Sequence, residues 1–292
     1  MFAIIGIVVV FAMVFGGYML AGGKFGVIIK AAPFELMMIG GAAVGAFLIS
    51  NGPSVLKGVA SDIKYIFSGP KWNKDDYRDL LSLMFMIIKL LKTRGVLVLE
   101  PHVEKPHEST LFGKYPKIQH DHFALDLLAD TLRMMTMSMD DPYQVEDCIQ
   151  RQLKKHHAET HARAAALQHM ADGLPALGIV AAVLGVIKTM SSIDQPVEIL
   201  GGMIGGALVG TFLGVFLAYG FVGPMAARLN QIYEQDHQFY FIIRDCLVAY
   251  LQGHSAPVAV EIARGNVPSE LQPSFQELDE HLNSLPADPL AA

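Results

Sequence analysis

The chain has 292 residues, of which 52% are hydrophobic and only 17% charged, with a mean hydropathy of +0.37; ordinary soluble domains are more polar. A net charge of −6 and the lack of any concentrated basic face argue against a nucleic-acid partner. The two cysteines, Cys148 and Cys246, are too few and too far apart for a disulfide framework or a tetrahedral zinc site.

A membrane helix needs roughly 20 apolar residues to cross a hydrocarbon core of ~30 Å, and four segments meet that length, in two hairpins. The first spans residues 2–20 and lacks the cationic start and small-residue cleavage site of a signal peptide. The second spans 34–50, after a short link at 21–33. The region 51–172 carries sixteen of the 22 Lys and Arg residues, among them Lys57, Lys64, Lys71 and Lys74 beside the second span, which marks it as cytoplasmic. Within it, 75–94 sets Leu80, Leu83, Met84, Ile87, Ile88 and Leu91 at helical spacing, a second helix is expected over 121–139, and a third, 143–169, runs toward the third span.

The third span covers 173–190 and the fourth 200–222, joined by a link with Asp194 and Glu198 but no Lys or Arg, as suits the outside. Lys24 and Lys30 in the first link run against this orientation. Both termini are then cytoplasmic, and the tail 223–292 ends in a Pro-rich segment. The fold class expected is an all-α integral membrane protein, with membrane hairpins at 1–50 and 173–222 and helical cytoplasmic parts at 51–172 and 223–292.

Catalytic signatures do not emerge: there is no Gly-rich phosphate loop, nucleophile elbow or HExxH pair. His157 and His161, four apart with His156 and His169 nearby, have metal-compatible spacing, yet no cysteine or carboxylate completes a ligand set by sequence, and a solvated histidine-bearing face is the simpler account. Neither a metal nor a cofactor is expected.

The fourth span places Gly202, Gly206, Gly210, Gly214 and Ala218 on one stripe at four-residue spacing. Such stripes let another helix backbone approach closely in lipid, and a packing seam is the plainest reading. Thr211 lies beside the stripe, where a lone threonine usually bonds back to a carbonyl one turn earlier. Pro175 and Pro224, near the inner ends of spans three and four, can bend, start or stop a helix. Apart from Lys188 near the outer end, these two spans hold no charged side chain. A proton path needs a titratable group, so if protons are conducted, the carboxylate comes from a partner helix that the stripe could receive.

The segments LPALGIVAAVLGVIKTM (174–190) and ALVGTFLGVFLAYGFVGPMA (207–226) resemble the paired signature of MotA flagellar stator proteins, of the MotA/TolQ/ExbB proton channel superfamily. VFGGYMLAGG (14–23), HESTLFGKYP (107–116) and QPSFQELDEHL (272–282) are similar to family segments in the same order, so the resemblance covers nearly the whole chain. It implies a bacterial inner-membrane homopentamer around two copies of a MotB-like subunit, whose single membrane helix supplies a proton-accepting aspartate and whose outer domain grips peptidoglycan. By the same resemblance Thr211 and Ala182 face the ion path, and Pro175 and Pro224 couple protonation to movement. Ala182 is similar to proton-driven members, where sodium-driven ones tend to carry Thr. The family's rotor contact, to FliG, uses a basic residue followed eight positions later by Glu. Lys92 and Glu100 keep that spacing, Lys stands where Arg is usual, and Arg94 follows two residues on, so either cation can lead. The rival readings are an ExbB/TolQ-like energy-transducing channel subunit, disfavoured by four spans, and a membrane scaffold without ion flow.

Overall fold

The computed structural model describes residues 2–286, 288 and 290. The helices run in chain order α1 (Phe2–Leu20), α2 (Gly26–Ser50), α3 (Pro53–Ser68), α4 (Lys74–Arg94), α5 (Glu100–Glu104), α6 (Pro116–Gln119), α7 (His122–Thr136), α8 (Pro142–Met190), α9 (Val197–Leu217), α10 (Gly223–Leu251), α11 (Ala256–Gly265) and α12 (Phe275–Ser284). No strand occurs among the described residues. Four of the described helical stretches are long and apolar enough to cross a membrane, and they contain the four segments expected from the sequence.

Two units form. One comprises Met1–Gly69 with Glu159–Ile232, the other Pro70–Ala158 with Tyr233–Ala292. A division at the membrane edge, with 51–172 as one polar domain, is therefore not the one the packing makes. Helix α3 and the 159–172 stretch of α8 join the membrane helices because Arg163 Nη1 donates to Asp62 Oδ2 at 2.7 Å, with Asp62 almost fully buried. Gly58 makes room for that arginine, since a Cβ on it would lie 2.5 Å from Arg163 Nε.

In the membrane unit, α2 starts eight residues before the expected 34 and contains Pro33. Proline removes one backbone N–H and crowds the preceding turn, but membrane helices tolerate it where neighbours satisfy the freed groups. Ile39 and Ala43 of α2 pack with Leu174 and Ala181 of α8 and Val209 and Leu213 of α9. Helix α1 buries no residue. It is held by aromatic contacts, Phe15 meeting Phe212 at 6.0 Å and Phe11 meeting Phe216 at 5.6 Å, both edge to face, a favoured geometry for ring quadrupoles. Exposed apolar residues such as Ile4, Val8, Met37, Ile49, Val183 and Ile187 suit a lipid or protein surround rather than water.

In the other unit, α4 opens on a reciprocal cap. Asn73 accepts from the Asp76 amide at 3.0 Å and Asp76 accepts from the Asn73 amide at 2.7 Å. The expected stripe is buried as its spacing requires, Leu80, Met84, Ile87 and Ile88 at 0% exposure, against Phe239, Ile243 and Leu247 of α10 and Val260 of α11. Helix α4 ends where Gly95 adopts φ 78°, which favours glycine. The helix expected at 121–139 is α7, capped by Asp121, and the helix expected at 143–169 runs on through the third span, 173–190, as the single 49-residue α8.

The candidate ion-path site

Helices α8 and α9 approach each other backbone to backbone. A Cβ built on Gly214 would lie 2.7 Å from Leu174 O and 2.8 Å from Gly178 Cα, and one on Gly178 would lie 2.8 Å from Gly210 O. A Cβ on Gly185 would lie 3.0 Å from Ala207 Cα. The glycine stripe is thus used within the chain. At Gly206 a Cβ would find Ala31 Cβ of α2 at an ordinary 3.7 Å, and at Gly202 nothing within 4 Å. Ala218, the last member, is buried.

Gly210 sits where three helices meet. A Cβ there would be 3.2 Å from Ala181 Cβ, 3.2 Å from the Ala182 amide nitrogen and 2.6 Å from Glu35 Oε2. Thr211, the next residue, and Ala182 are both half-buried, so the two residues named for the ion path lie at one level of the α8–α9 pair. No motif in the sequence singles out Glu35. It is 6% exposed, and its Oε2 has no hydrogen-bond partner. The signal was an acidic residue inside an apolar window immediately after Pro33 and Phe34; only the fold shows that it points inward.

Pro175 lies inside α8, which continues through it. Pro224 does not end its helix either. The chain passes from α9 through a π-helical turn at Ala218–Val222 into α10, with the Gly223 amide donating to Ala218 O. Proline cannot donate to the carbonyl four residues back and clashes with it. A wider turn just before Pro224 relieves that conflict, a recurring use of π-bulges. Gly223 permits it, since a Cβ there would come 2.8 Å from Ala218 O. That Cβ would also lie 3.9 Å from Ala171 Cβ, so the two prolines occupy neighbouring turns of the pair.

The polar unit places Lys92, Arg94 and Glu100 on the surface around the Gly95 turn. Lys92 Nζ donates to Gly253 O at 3.1 Å and lies 5.3 Å from the Tyr250 ring centre, while Arg94 pairs with Asp288 at 2.7 Å. His157 Nε2 lies 3.2 Å from Glu234 Oε1, a carboxylate 77 residues away that helical spacing could not locate, and His156 stacks on Phe123 at 3.8 Å. Asp236 accepts from the Lys71 amide at 2.8 Å, and burial pushes its carboxyl up to about 6. Next to it Trp72 stacks on Phe239 at 3.8 Å beneath Lys71 and Lys117.

These features define a multi-pass helical membrane protein whose α8–α9 pair forms a tight glycine seam flanked by a threonine and two helix-interior prolines. Residues 4–95 match the family described as Motility protein A N-terminal, and residues 119–240 match the MotA/TolQ/ExbB proton channel family. Motility protein A of Salmonella typhimurium is 37% identical over 285 residues, covering 98% of this chain and 96% of that one. Chemotaxis protein LafT of Vibrio parahaemolyticus is 32% identical over 278 residues, covering 95% and 97%. The chain belongs to the motility protein A family. Its fold is also that of the C. jejuni MotAB structure, at a TM-score of 0.71 and 17% identity over 92% of this chain and 96% of that one. The Bacillus subtilis flagellar MotAB stator complex follows at a TM-score of 0.68 and 23% identity, covering 88% and 92%.

Proposed function

We propose that this chain is the stator subunit of a bacterial flagellar motor, forming with a MotB-like partner a proton channel that converts ion flow into torque. The observation that carries the reading is similarity to Motility protein A along essentially the whole chain, polar unit included. An ExbB/TolQ-like role would leave the match of residues 4–95 to the motility-specific family without a purpose.

In this reading the chain sits in the inner membrane with both termini cytoplasmic, five copies surrounding two MotB-like helices. The α8 and α9 spans hold no acidic residue between 174–187 and 200–222, so the partner's aspartate is the group that binds the travelling ion beside Thr211 and Ala182. A charge crossing about 100 mV releases ~2.3 kcal/mol, roughly four times thermal energy, which suffices to bias one small step. Pro175 and Pro224, in neighbouring turns, are where that step bends the helices leading out of the membrane. Lys92 or Arg94, with Glu100, then meets charged residues of the rotor protein FliG. Ala182 is similar to proton-driven members of the family, where sodium-driven ones tend to carry Thr, so the ion in this reading is a proton.

Native mass spectrometry of the chain co-expressed with its MotB-like partner tests the assembly. A complex of five and two is expected; recovery of this chain without the partner would refute it.

A further inference from the structure

Glu35 is the tenth of the 25 residues of α2, about 14 Å into that helix at 1.5 Å per residue. Its side chain lies against α9 at Gly210, 6% exposed, with Oε2 unpartnered. Acidic side chains inside membrane spans are rare and costly, and those that occur mark ion or proton sites. A bare carboxylate in this position lacks the cation or donors that would offset its desolvation. A neutral carboxylic acid does not carry that penalty.

The route to it is visible. A cleft of about 810 Å³ between α2, α8 and α9 is lined by Glu35, Gly185 and Gly206 and by Lys24, Lys30 and Lys188. The lysines are the charged groups that face the cleft, from the α1–α2 link, from α2 and from the end of α8, and all three are exposed. Lys24 lies in the link and Lys30 and Lys188 lie toward the ends of α2 and α8, so the same cleft is lined by three exposed cations and by one buried carboxyl group.

We propose that Glu35 is a proton-binding site carried by this chain itself, neutral while α2 packs on α9 at Gly210 and ionised when water from the lysine-rimmed cleft enters that contact. The step is a simple protonation: the carboxylate takes one proton from cleft water and becomes the neutral acid, and it returns the proton when the contact opens. Gly210 precedes Thr211, so the charge state of Glu35 acts on the α9 turn that holds the ion-path threonine. This deepens the ion-translocation reading, on which it rests, by giving the chain a titratable group besides the partner's aspartate.

Infrared difference spectroscopy on the full chain with its MotB-like partner in lipid, stepped in pH and repeated in D2O, tests the proposal without recourse to motility. The wild type is expected to show a protonated-carboxyl band that Glu35→Gln lacks and Glu35→Asp displaces; identical bands in all three would overturn the proposal. A second measurement reads the packing. Cysteines replacing Ala31 and Gly206 would stand with Cβ atoms 3.7 Å apart, within the range of about 3.5–4.5 Å a disulfide needs. Thiolate reactivity raises cross-linking with pH in both backgrounds, so the yield in the wild-type background should fall relative to Glu35→Gln as pH rises, and the same pH dependence in both would overturn the coupling. Failure of either result leaves the five-to-two assembly untouched, and failure of the assembly leaves both readouts measurable.

Discussion

Replacing the stripe glycines of α9 one at a time by alanine separates two uses of the same motif. In Gly214→Ala the new methyl would stand 2.7 Å from Leu174 O and 2.8 Å from Gly178 Cα, both backbone, so α8 must withdraw by about 0.7 Å to reach an ordinary 3.4 Å. Gly210→Ala meets Glu35 Oε2 at 2.6 Å and two α8 atoms at 3.2 Å. Overpacking of this kind costs about 1–3 kcal/mol, equivalent to about 5–150-fold in an equilibrium constant. Gly206→Ala finds its nearest neighbour at 3.7 Å and Gly202→Ala finds none within 4 Å. Both should be neutral, or slightly stabilising because alanine suits a helix interior better than glycine. The assay is the denaturation midpoint of the purified chain in detergent, without partner, followed by far-UV circular dichroism. Equal damage from Gly202→Ala and Gly214→Ala, or an innocuous Gly214→Ala, would refute an intrachain seam. Loss of partner binding by Gly202→Ala with its midpoint unchanged would show that the outer stripe serves another chain.

Other expectations follow from the polar unit. Asp236 has its carboxyl raised to about 6 by burial from an ordinary 3.8. The folded state therefore favours its protonated form, and stability present below about pH 4 is lost as pH rises through 6. Asp236→Asn should raise stability at pH 7 by up to about 3 kcal/mol, seen as a higher midpoint, with the gain vanishing near pH 4; a gain independent of pH would count against this. Asp76→Ala removes the reciprocal cap of α4 and the partner of Lys117 Nζ at 2.5 Å, and should cost about 1–2 kcal/mol, read from the same melt. Lys92→Glu removes an exposed contact to Gly253 O worth under about 1 kcal/mol, so swimming should fail while the midpoint holds. Normal swimming in that variant would remove Lys92 from the rotor contact.

Much of this architecture was legible in the residues. The α4 stripe could be read because its apolar residues repeat at helical spacing and pack one face. Helix α2 was read eight residues short because Lys30 and Pro33 look like link residues, whereas a lysine near a helix end can snorkel and the proline is absorbed within the helix. Glu35 then falls at the edge of the span instead of well inside a helix, and its meaning depends on Gly210, 175 residues later. The stripe on α9 announced a close approach by its period, but period does not say which backbone arrives, and α8 takes the inner half. Pro224 suggested a helix end; the continuation rests on a one-residue widening of the backbone ladder, which leaves no mark in side-chain chemistry.

The central claim, that this chain turns a proton gradient into rotation, is tested most directly by swimming. A stator-deleted bacterium would express the chain with its MotB-like partner in sodium-free medium. The account predicts restored swimming, abolished by Thr211→Ile although both proteins reach the membrane. Paralysed cells with wild-type protein assembled in the membrane, or swimming that requires sodium, would contradict it.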